Sequence, residues 1–521
     1  MPLATTDRRP HPALGPAHVL LTGATGFLGQ AVLERLLSDY HQTRVTVLIR
    51  GCGGLTPRQR LARLLEGPTF AALHAAPGSR TGAGADSTAG GRVHESIGVI
   101  DADLGEDYTL PGDIDAVVHC ASSVKFNERV DAAFETNVAG THRLYSALRC
   151  GSTPVHVVHV STAYVSAGRM RRAPQAALKH DVDWRDELNL ARGLGVRVRA
   201  EVTRRPPIEP GSFEAEVERR MTALGAARGH ELGWTDVYTL TKALGERVAE
   251  ELTARAGQRL TVLRPTIIES ALSRPFPGWI DGFKVADPII AAYARGRLEH
   301  FPGHPDNVLD LIPVDLVVNA ILANLANPPE PATPRYVHVA SGSDNPLTLQ
   351  QMFVHASDYF AAHPWIGQDG RACQPPPFRF RGPAAVDRWI RRRERLLALA
   401  RPMVRAAGSP RAAALADRLA GAARGLRMLR EYRDLYAPYT CSRTVFDTTP
   451  GVPAGHPDLT SDTSVIDWAD YLGRVHLPAV VRLMRQLQAT RRVPAATRNC
   501  VPRSAQTGRT QQRLKVPEQL R

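Results

Sequence analysis

The stretch AHVLLTGATGFLG, residues 17–29, joins a short apolar run to three glycines spaced three residues apart, and Ala31 to Leu37 continue with helical periodicity. An apolar run, a glycine turn and a helix predict the first strand–turn–helix unit of a parallel sheet. Such glycines allow a tight turn and let a pyrophosphate approach the backbone amides at the positive end of the helix. We therefore expect a dinucleotide at this turn, contacted by Thr22, Gly23, Thr25, Gly26, Phe27, Leu28 and Gly29.

Apolar and helical segments alternate beyond this turn. Strands are predicted over residues 17–22, 44–49, 97–104, 115–120, 155–160, 260–268 and 336–340, and helices over 57–76, 134–150 and 309–325. This alternation predicts an α/β fold, namely a right-handed doubly wound parallel sheet of the Rossmann type. Ligands of such sheets bind in the crevice at the carboxyl ends of the strands.

Arg50 follows the second predicted strand, where an acidic residue would bind the ribose 2′-hydroxyl of NAD. An arginine there accommodates the 2′-phosphate of NADP, so Arg50 favours NADPH as the cofactor. The alternative is an ordinary surface arginine in a chain rich in arginine. Further cofactor contacts are expected at the ends of the third, fourth and sixth strands, at Asp103, Leu104, Ala121, Pro265 and Thr266.

Tyr238 and Lys242 stand four residues apart, about one turn of a predicted helix, so both side chains project from one face. A lysine beside a tyrosine favours the phenolate, and we expect it to lower the tyrosine pKa, which would let the phenol exchange a proton with a carbonyl oxygen. The spacing also arises by chance on amphipathic helices. However, the chain has only five lysines among its 65 basic residues, which indicates that this position requires an ammonium and not a guanidinium.

Thr162 follows the fifth predicted strand and is expected at the rim of the crevice, where its hydroxyl can bond the same substrate oxygen as Tyr238. The alternative is a β-branched residue that merely ends a strand. His119 lies in an apolar strand and is interpreted as packed, not as a catalytic base. The Arg/Glu/Ala-rich insertion at 168–233 is predicted to be helical and part of a substrate lid, and residues 275–282 are expected to form the floor of an apolar pocket.

The composition is that of a globular enzyme, with 43% hydrophobic and 22% charged residues and a net charge of +14. The basic excess concentrates at Arg391–Arg393 and in the tail from Arg491, which indicates a solvated surface or a peripheral membrane contact; no nucleic acid partner is expected. The cysteines are scattered, without metal-ligand spacing, and no apolar run suits a signal peptide or a membrane span. A cytoplasmic protein without a metal is therefore predicted.

Changes in amino-acid composition along the chain predict four regions. Residues 1–16 are a flexible N-terminus and residues 17–370 a reductase unit with insertions mainly at 168–233 and 268–310. A helical C-terminal domain follows at 371–490, with Leu396, Leu397, Leu399 and Met403 on an apolar side that is interpreted mainly as helix packing. Residues 491–521 form a basic, disordered tail, and residues 77–91 a flexible surface loop.

The ordered set of Thr22-Gly23-x-x-Gly26-x-x-Gly29, Ser161-Thr162 and Tyr238-x-x-x-Lys242 resembles the extended short-chain dehydrogenase/reductase superfamily. More narrowly, five stretches resemble the fatty acyl-CoA reductases, the family with the male-sterility-type NAD(P)-binding domain. They are HCASSVKF (119–126), HVSTAYV (159–165), YTLTKALGE (238–246), LRPTIIESA (263–271) and PFPGWI (275–280). The likeness covers roughly residues 17–345.

The resemblance implies NADPH-dependent reduction of a long-chain fatty acyl-CoA to an aldehyde or a primary alcohol. Tyr238 and Thr162 would stabilise the oxyanion, and Lys242 would keep the phenol acidic and hold the nicotinamide ribose. Three alternatives stay open: a thioester reductase acting on carrier-protein-bound acyl chains, a nucleotide-sugar epimerase or dehydratase, and a non-catalytic cofactor-sensing regulator.

Overall fold

The fold is that of a computed structural model, which describes residues 14–74, 97–148, 153–204, 212–298, 300–367, 370–406, 410–449 and 456–492. The predictions for residues 1–13, for the loop at 77–91 and for the tail beyond residue 492 lie outside the described residues. The strands, in chain order, are β1 (His18–Thr22), β2 (Arg44–Ile49), β3 (Gly98–Asp101), β4 (Ala116–His119), β5 (His156–Val160), β6 (Arg172–Ala173), β7 (Arg259–Pro265), β8 (Ile267–Glu269), β9 (His300–Pro302), β10 (Leu311–Pro313), β11 (Arg335–Val339), β12 (Trp365–Ile366), β13 (Ala372–Cys373), β14 (Arg379–Arg381) and β15 (Val445–Phe446).

The helices are α1 (Phe27–Asp39), α2 (Pro57–Leu65), α3 (Ala71–His74), α4 (Val130–Phe134), α5 (Gly140–Ser146), α6 (Trp184–Arg204), α7 (Ser212–Glu231), α8 (Val237–Arg255), α9 (Asp287–Ala294), α10 (Val314–Ala326), α11 (Leu349–Ala362), α12 (Pro383–Ala406), α13 (Pro410–Thr440), α14 (Trp468–Asp470) and α15 (Leu477–Arg492). Short 3₁₀ turns occupy Pro68–Phe70, Ala163–Ser166 and Thr463–Val465. Two π-helical segments, Glu135–Ala139 and Tyr471–His476, join α4 to α5 and α14 to α15.

The central sheet has seven parallel strands in the order β3-β2-β1-β4-β5-β7-β11. The predicted doubly wound sheet is therefore confirmed. The strand order reverses beside β1, between β1 and β4, so the switch point lies next to the glycine turn, where ligands of such sheets bind. The predicted sixth strand divides at Thr266: β7 stays in the sheet, and β8 leaves it to pair with β10.

Alternate residues of the central strands point to opposite faces of the sheet. Val19 and Leu21 join a core cluster with α1 and α10, whereas Leu20 packs in a second cluster with Leu144 of α5 and Ala249 of α8. This two-sided burial explains why the strands read as continuous apolar runs. It also fixes α8, the helix of Tyr238 and Lys242, against the sheet.

The predicted helical insertion at 168–233 consists mainly of α6 and α7, which pack against α8 in a third cluster. Its role as a lid stays a prediction. Residues beyond the predicted boundary at 371, such as Tyr436, Tyr439 and Leu472, share one core cluster with residues of the sheet. The proposed separate C-terminal domain likewise stays a prediction. No helix in the described part of the chain is both long and apolar enough to cross a bilayer.

Candidate active site

The glycine turn after β1 has the geometry of a dinucleotide site. Gly23 has a φ of +74°, and a Cβ there would lie 2.6 Å from the amide nitrogen of Ala121. A Cβ at Gly29 would lie 2.1 Å from the Gly23 carbonyl oxygen. Gly26, whose amide donates to that carbonyl at 2.9 Å, is the N-cap of α1. Because the first amides of a helix have no partner within it, those of Phe27, Leu28 and Gly29 suit a phosphate.

The side chain of Thr22 contacts His119 on the neighbouring strand β4. Its Oγ1 lies 2.7 Å from His119 Nδ1 and accepts a hydrogen bond from the Ala121 amide, while His119 Nε2 lies 3.2 Å from Thr141 Oγ1. Burial, and secondarily the charge of Lys242, lower the pKa of His119 to about 3. His119 is thus a neutral, packed residue, as predicted, and Thr22 and Ala121 contribute backbone to the turn.

Arg50 and Asp103, which sequence reasoning placed at two strand ends, are brought together next to the turn. Arg50 Nη1 lies 2.5 Å from Asp103 Oδ2, and both side chains are partly exposed. Burial opposes the charged form of Asp103, but hydrogen bonds from the Gly105 amide and from Arg50 hold the pKa of this carboxyl below its ordinary value. Leu104 is buried beside the pair. An ion-paired guanidinium therefore lies at the end of β2.

Tyr238 lies in the first turn of α8, which Asp236 caps through a hydrogen bond from the Thr239 amide of 2.8 Å. The Thr162 hydroxyl lies close enough to the Tyr238 phenol to influence its pKa. Thr162 is buried at the end of β5, where its Oγ1 donates to the Pro265 carbonyl at 3.4 Å. The predicted pair of hydroxyls therefore meets at the carboxyl ends of β5 and β7.

The pKa of Tyr238 contradicts the expected effect of Lys242. Burial raises this pKa, the neighbouring Thr162 hydroxyl opposes the rise, and the charge of Asp236 adds to it. Lys242 Nζ donates to the Val160 carbonyl at 2.6 Å, so its ammonium is directed at β5 and not at the phenol. Burial also lowers the pKa of Lys242 to about 8, against the opposing charges of Glu246 and Cys120. In the protein alone, Tyr238 is a protonated phenol at neutral pH.

Aromatic residues from distant segments surround Tyr238. The Phe126 ring lies 5.7 Å from the Tyr238 ring and stacks on Tyr439 at 4.6 Å. Tyr439, near the end of α13, also donates a hydrogen bond to Asp236 and contacts the Tyr164 ring at 4.9 Å. Sequence reasoning missed Tyr439, because no local pattern connects residue 439 with residue 236.

Comparison with known proteins gives the family. The family model described as Male sterility protein, an NAD-binding domain, matches residues 21–321. The alcohol-forming fatty acyl-CoA reductase of Simmondsia chinensis is 30% identical over 500 residues, which covers 89% of this chain and 96% of the relative. The chain belongs to the fatty acyl-CoA reductase family. It is thus an oxidoreductase with a nicotinamide dinucleotide site, to which the glycine turn fits.

A second relative of this reductase is the probable fatty acyl-CoA reductase 4 of Arabidopsis thaliana, 27% identical over 492 residues, or 89% of this chain and 96% of the relative. Among solved structures, the terminal reductase domain of the myxalamid biosynthetic pathway aligns with a TM-score of 0.51. It is 19% identical and covers 92% of this chain and 94% of that chain. This structural likeness supports the fold.

Asn137 is a second residue of the reductase site that the sequence did not single out. It lies in the π-helical segment between α4 and α5, and such segments are frequent at functional sites. Its amide Nδ2 donates to the Ser123 carbonyl and to Thr241 Oγ1, both at 3.0 Å, and its Oδ1 accepts from the Ser123 amide at 2.8 Å. Asn137 therefore links the segment after β4 to α8, one residue before Lys242.

The segment after Pro275 packs against Phe27 at the start of α1. The Trp279 ring stacks on Phe27 at 4.9 Å, and its Nε1 donates to Thr69 Oγ1 at 2.9 Å. Lys284 Nζ lies over the same Phe27 ring, 4.1 Å from its centre. This segment therefore supports the start of α1 at the dinucleotide turn. The apolar cavity described next has other walls, so the expectation that this segment forms the floor of an apolar pocket stays a prediction.

That apolar cavity encloses about 430 Å³ of space between atoms, part of which is open to solvent. Its walls come from β8, α9, α11 and the end of α13, and include Ile267, Ile290, Met352 and Tyr439. Because Tyr439 also stacks on Phe126, which lies against Tyr238, two aromatic rings separate the cavity from Tyr238. Thr266, predicted to contact the cofactor, donates its hydroxyl hydrogen to Asp310 Oδ1 at 3.0 Å.

Proposed function

We propose that this reductase uses NADPH to reduce a long-chain fatty acyl-CoA thioester to a fatty aldehyde, a primary fatty alcohol or both. The observation that carries this proposal is the neighbouring hydroxyls of Thr162 and Tyr238 at the strand ends, beside a dinucleotide turn and separated from an apolar cavity by the rings of Phe126 and Tyr439. The names of the relatives support the substrate class.

The two hydroxyls act on the thioester oxygen. When bound, NADPH would supply the hydride to the thioester carbon. Tyr238 donates its proton to the oxygen that gains negative charge, and Thr162 donates a second hydrogen bond to the same oxygen. The phenol of Tyr238 is protonated at neutral pH and therefore able to donate. Loss of the CoA thiol from the resulting hemithioacetal leaves the aldehyde, and a second reduction by the same groups would give the alcohol.

In this proposal Lys242 positions the cofactor and transfers no proton. Its ammonium is buried and donates to the Val160 carbonyl, and it retains two hydrogens for other acceptors. We assign these to the ribose of the nicotinamide, as the resemblance implies. We assign the 2′-phosphate to Arg50, and the remaining cofactor contacts to the turn at residues 22–29 and to Asp103, Leu104, Ala121, Pro265 and Thr266.

The acyl chain occupies the apolar cavity in this proposal. The cavity wall is almost entirely apolar, which suits a hydrocarbon and disfavours a nucleotide sugar. Tyr439 separates the cavity from Phe126 and Tyr238, so a chain that passes this ring would place its thioester near the two hydroxyls.

A peripheral membrane contact through α12 is a further part of the proposal. Leu396, Leu399 and Met403 recur at helical spacing, and each exposes more than half of its surface. The sequence favoured helix packing as the reason for this apolar side, but no other helix covers these three residues in the described part of the chain. Arg392 and Arg395 are exposed beside them. An exposed apolar face flanked by arginines suits an anionic bilayer surface. Co-sedimentation with anionic liposomes tests this, and we expect Leu399→Ser with Met403→Ser to reduce it.

Substrate comparison tests the central proposal. NADPH oxidation is measured with palmitoyl-CoA, palmitoyl-carrier protein or a UDP-sugar, and products are identified by gas chromatography. We expect turnover with palmitoyl-CoA and a fatty aldehyde or alcohol as product. Faster turnover of the carrier-protein substrate would instead assign a carrier-protein thioester reductase, and the absence of turnover with any acyl thioester would reject the proposal.

A further inference from the structure

Three buried titratable residues from distant segments converge behind the wall of the apolar cavity. Glu269 ends β8, Asp287 begins α9, and His476 ends the second π-helical segment. None of the three has measurable exposed surface. One ligand atom from each lies within 4.8 Å of the other two, and His476 Nε2 is 3.3 Å from Asp287 Oδ1. The proposed reduction uses none of these groups.

Each of the three residues has one ligand atom without a hydrogen bond. Within the described residues, Glu269 Oε2, Asp287 Oδ1 and His476 Nε2 are buried and have no hydrogen-bond partner. The other oxygen of each carboxylate is bonded, since Glu269 Oε1 accepts from the Ala286 amide at 3.2 Å and Asp287 Oδ2 from the Lys284 amide at 2.6 Å. Unpaired buried polar atoms are costly, so three in one place call for a common ligand.

The surroundings of His476 suit a ligand role for its Nε2. Its Nδ1 lies 3.0 Å from Ser270 Oγ, which in turn lies 3.3 Å from the Tyr471 hydroxyl oxygen. Tyr471 donates its own hydrogen to the Ser270 carbonyl at 2.8 Å. In the tautomer that carries the proton on Nδ1, Nδ1–H donates to Ser270, the Ser270 hydroxyl donates to Tyr471, and the Nε2 lone pair is left for the cluster. Metal-binding histidines are commonly held by such an oxygen acceptor.

We propose that Glu269, Asp287 and His476 bind one divalent transition-metal cation, with Zn²⁺ as the preferred ion. Two carboxylate oxygens and an imidazole nitrogen are ordinary Zn²⁺ ligands, and the imidazole selects against Mg²⁺ and Ca²⁺. A cation engages all three unpaired atoms at once. The competing arrangements are a proton shared between the two carboxyls and an ion pair of protonated His476 with Asp287 Oδ1 at 3.3 Å, and neither engages all three atoms at once.

The Lys284 ammonium does not take the place of this cation. Its charge favours the ionised form of both carboxyls, but its Nζ donates to the Asp281 carbonyl and lies over the Phe27 ring. Burial, meanwhile, raises the pKa of Glu269 and Asp287 and lowers that of His476. The bound cation would connect β8 and α9 to the C-terminal π-helical segment, and its role is therefore structural.

Metal content and thermal stability of the full chain test the proposal. The protein is purified without a metal-affinity tag, stripped with a chelator and titrated with Zn²⁺. We expect one Zn²⁺ per chain by elemental analysis and a rise in Tm of a few degrees on Zn²⁺ addition. Glu269→Gln keeps an acceptor for the Ala286 amide but loses the charged ligand, so it is expected to lose both effects. X-ray absorption is expected to show nitrogen and oxygen ligands without sulfur.

Glu34→Gln is the matched control, because Glu34 is another buried carboxyl with an unpartnered oxygen, Oε2. It should bind Zn²⁺ as the wild type does. His476→Gln provides a second ligand variant should Glu269→Gln fail to fold. Wild-type protein without stoichiometric Zn²⁺, equal Zn²⁺ binding by the ligand variants, or a sulfur ligand that assigns the ion to cysteines would each overturn the proposal.

Discussion

Tyr439 of α13 donates its phenolic hydrogen to the carboxylate of Asp236, the residue that caps α8. The two residues are 203 positions apart, and Asp236 precedes Tyr238 by two. Through this bond the C-terminal part of the chain fixes the start of the helix that carries Tyr238 and Lys242. The same tyrosine ring lies against Phe126 and the apolar cavity, so the C-terminal part shapes the candidate site.

Tyr439→Phe removes this hydrogen bond and keeps the ring. We expect the free energy of unfolding to fall by about 1.5–3 kcal/mol, because a buried carboxylate loses a donor, and the rate of reduction to fall with it. Urea unfolding and NADPH oxidation measure the two effects. Tyr108→Phe is the control, since the buried Tyr108 hydroxyl has no hydrogen-bond partner among the described residues. Equal stability of the two variants would contradict the assigned role.

Arg50→Ala tests the preference for NADPH. Loss of a charge-assisted contact to the 2′-phosphate of about 1.5–3 kcal/mol raises the KM for NADPH by roughly ten- to a hundredfold. The KM for NADH should change little. Arg44→Ala is the control, because Arg44 is an exposed, ion-paired arginine at the opposite end of β2. A parallel rise for both cofactors in Arg50→Ala would show that Arg50 does not distinguish them.

The pH profile tests the ammonium of Lys242. Burial lowers the pKa of Lys242 to about 8, so the ammonium is present below this pH and lost above it. We therefore expect kcat/KM to fall as the pH rises through about 8. Lys242→Arg remains charged and, although slower, should lack this alkaline limb. A wild-type profile that stays flat from pH 7 to 9 would show that the charge of Lys242 is not required.

Met352→Trp tests the acyl site. Met352 of α11 is buried in the cavity wall, and a larger side chain should shorten the space for the hydrocarbon. We expect the preference to shift from palmitoyl-CoA towards shorter acyl-CoAs, measured as the ratio of kcat/KM values. Val354→Trp, two residues along the same helix and 48% exposed, should keep the wild-type preference. An unchanged preference in an active Met352→Trp enzyme would place the acyl chain elsewhere.

The sheet and the dinucleotide turn could be predicted because their signals are local. Apolar strands and the glycines at 23, 26 and 29 each lie within a few residues, and the strand ends then place Thr162 near Tyr238. The bond between Asp236 and Tyr439 and the cluster of Glu269, Asp287 and His476 depend on contacts between distant segments. No periodicity encodes such contacts.

The pKa of Tyr238 shows a second limit of sequence reasoning. Helical spacing placed Lys242 on the same face of α8, but it did not reveal that Nζ bonds to the Val160 carbonyl. Burial, which the spacing also leaves undetermined, then decides the direction of the shift.

The most direct test of the central claim is reduction of palmitoyl-CoA by Tyr238→Phe. This variant keeps the ring against Phe126 and removes the proton that the phenol supplies. We predict that the rate of reduction falls by about 10²–10⁴-fold while NADPH binding, followed by fluorescence, is unchanged. Wild-type rates of palmitoyl-CoA reduction in Tyr238→Phe would contradict the account.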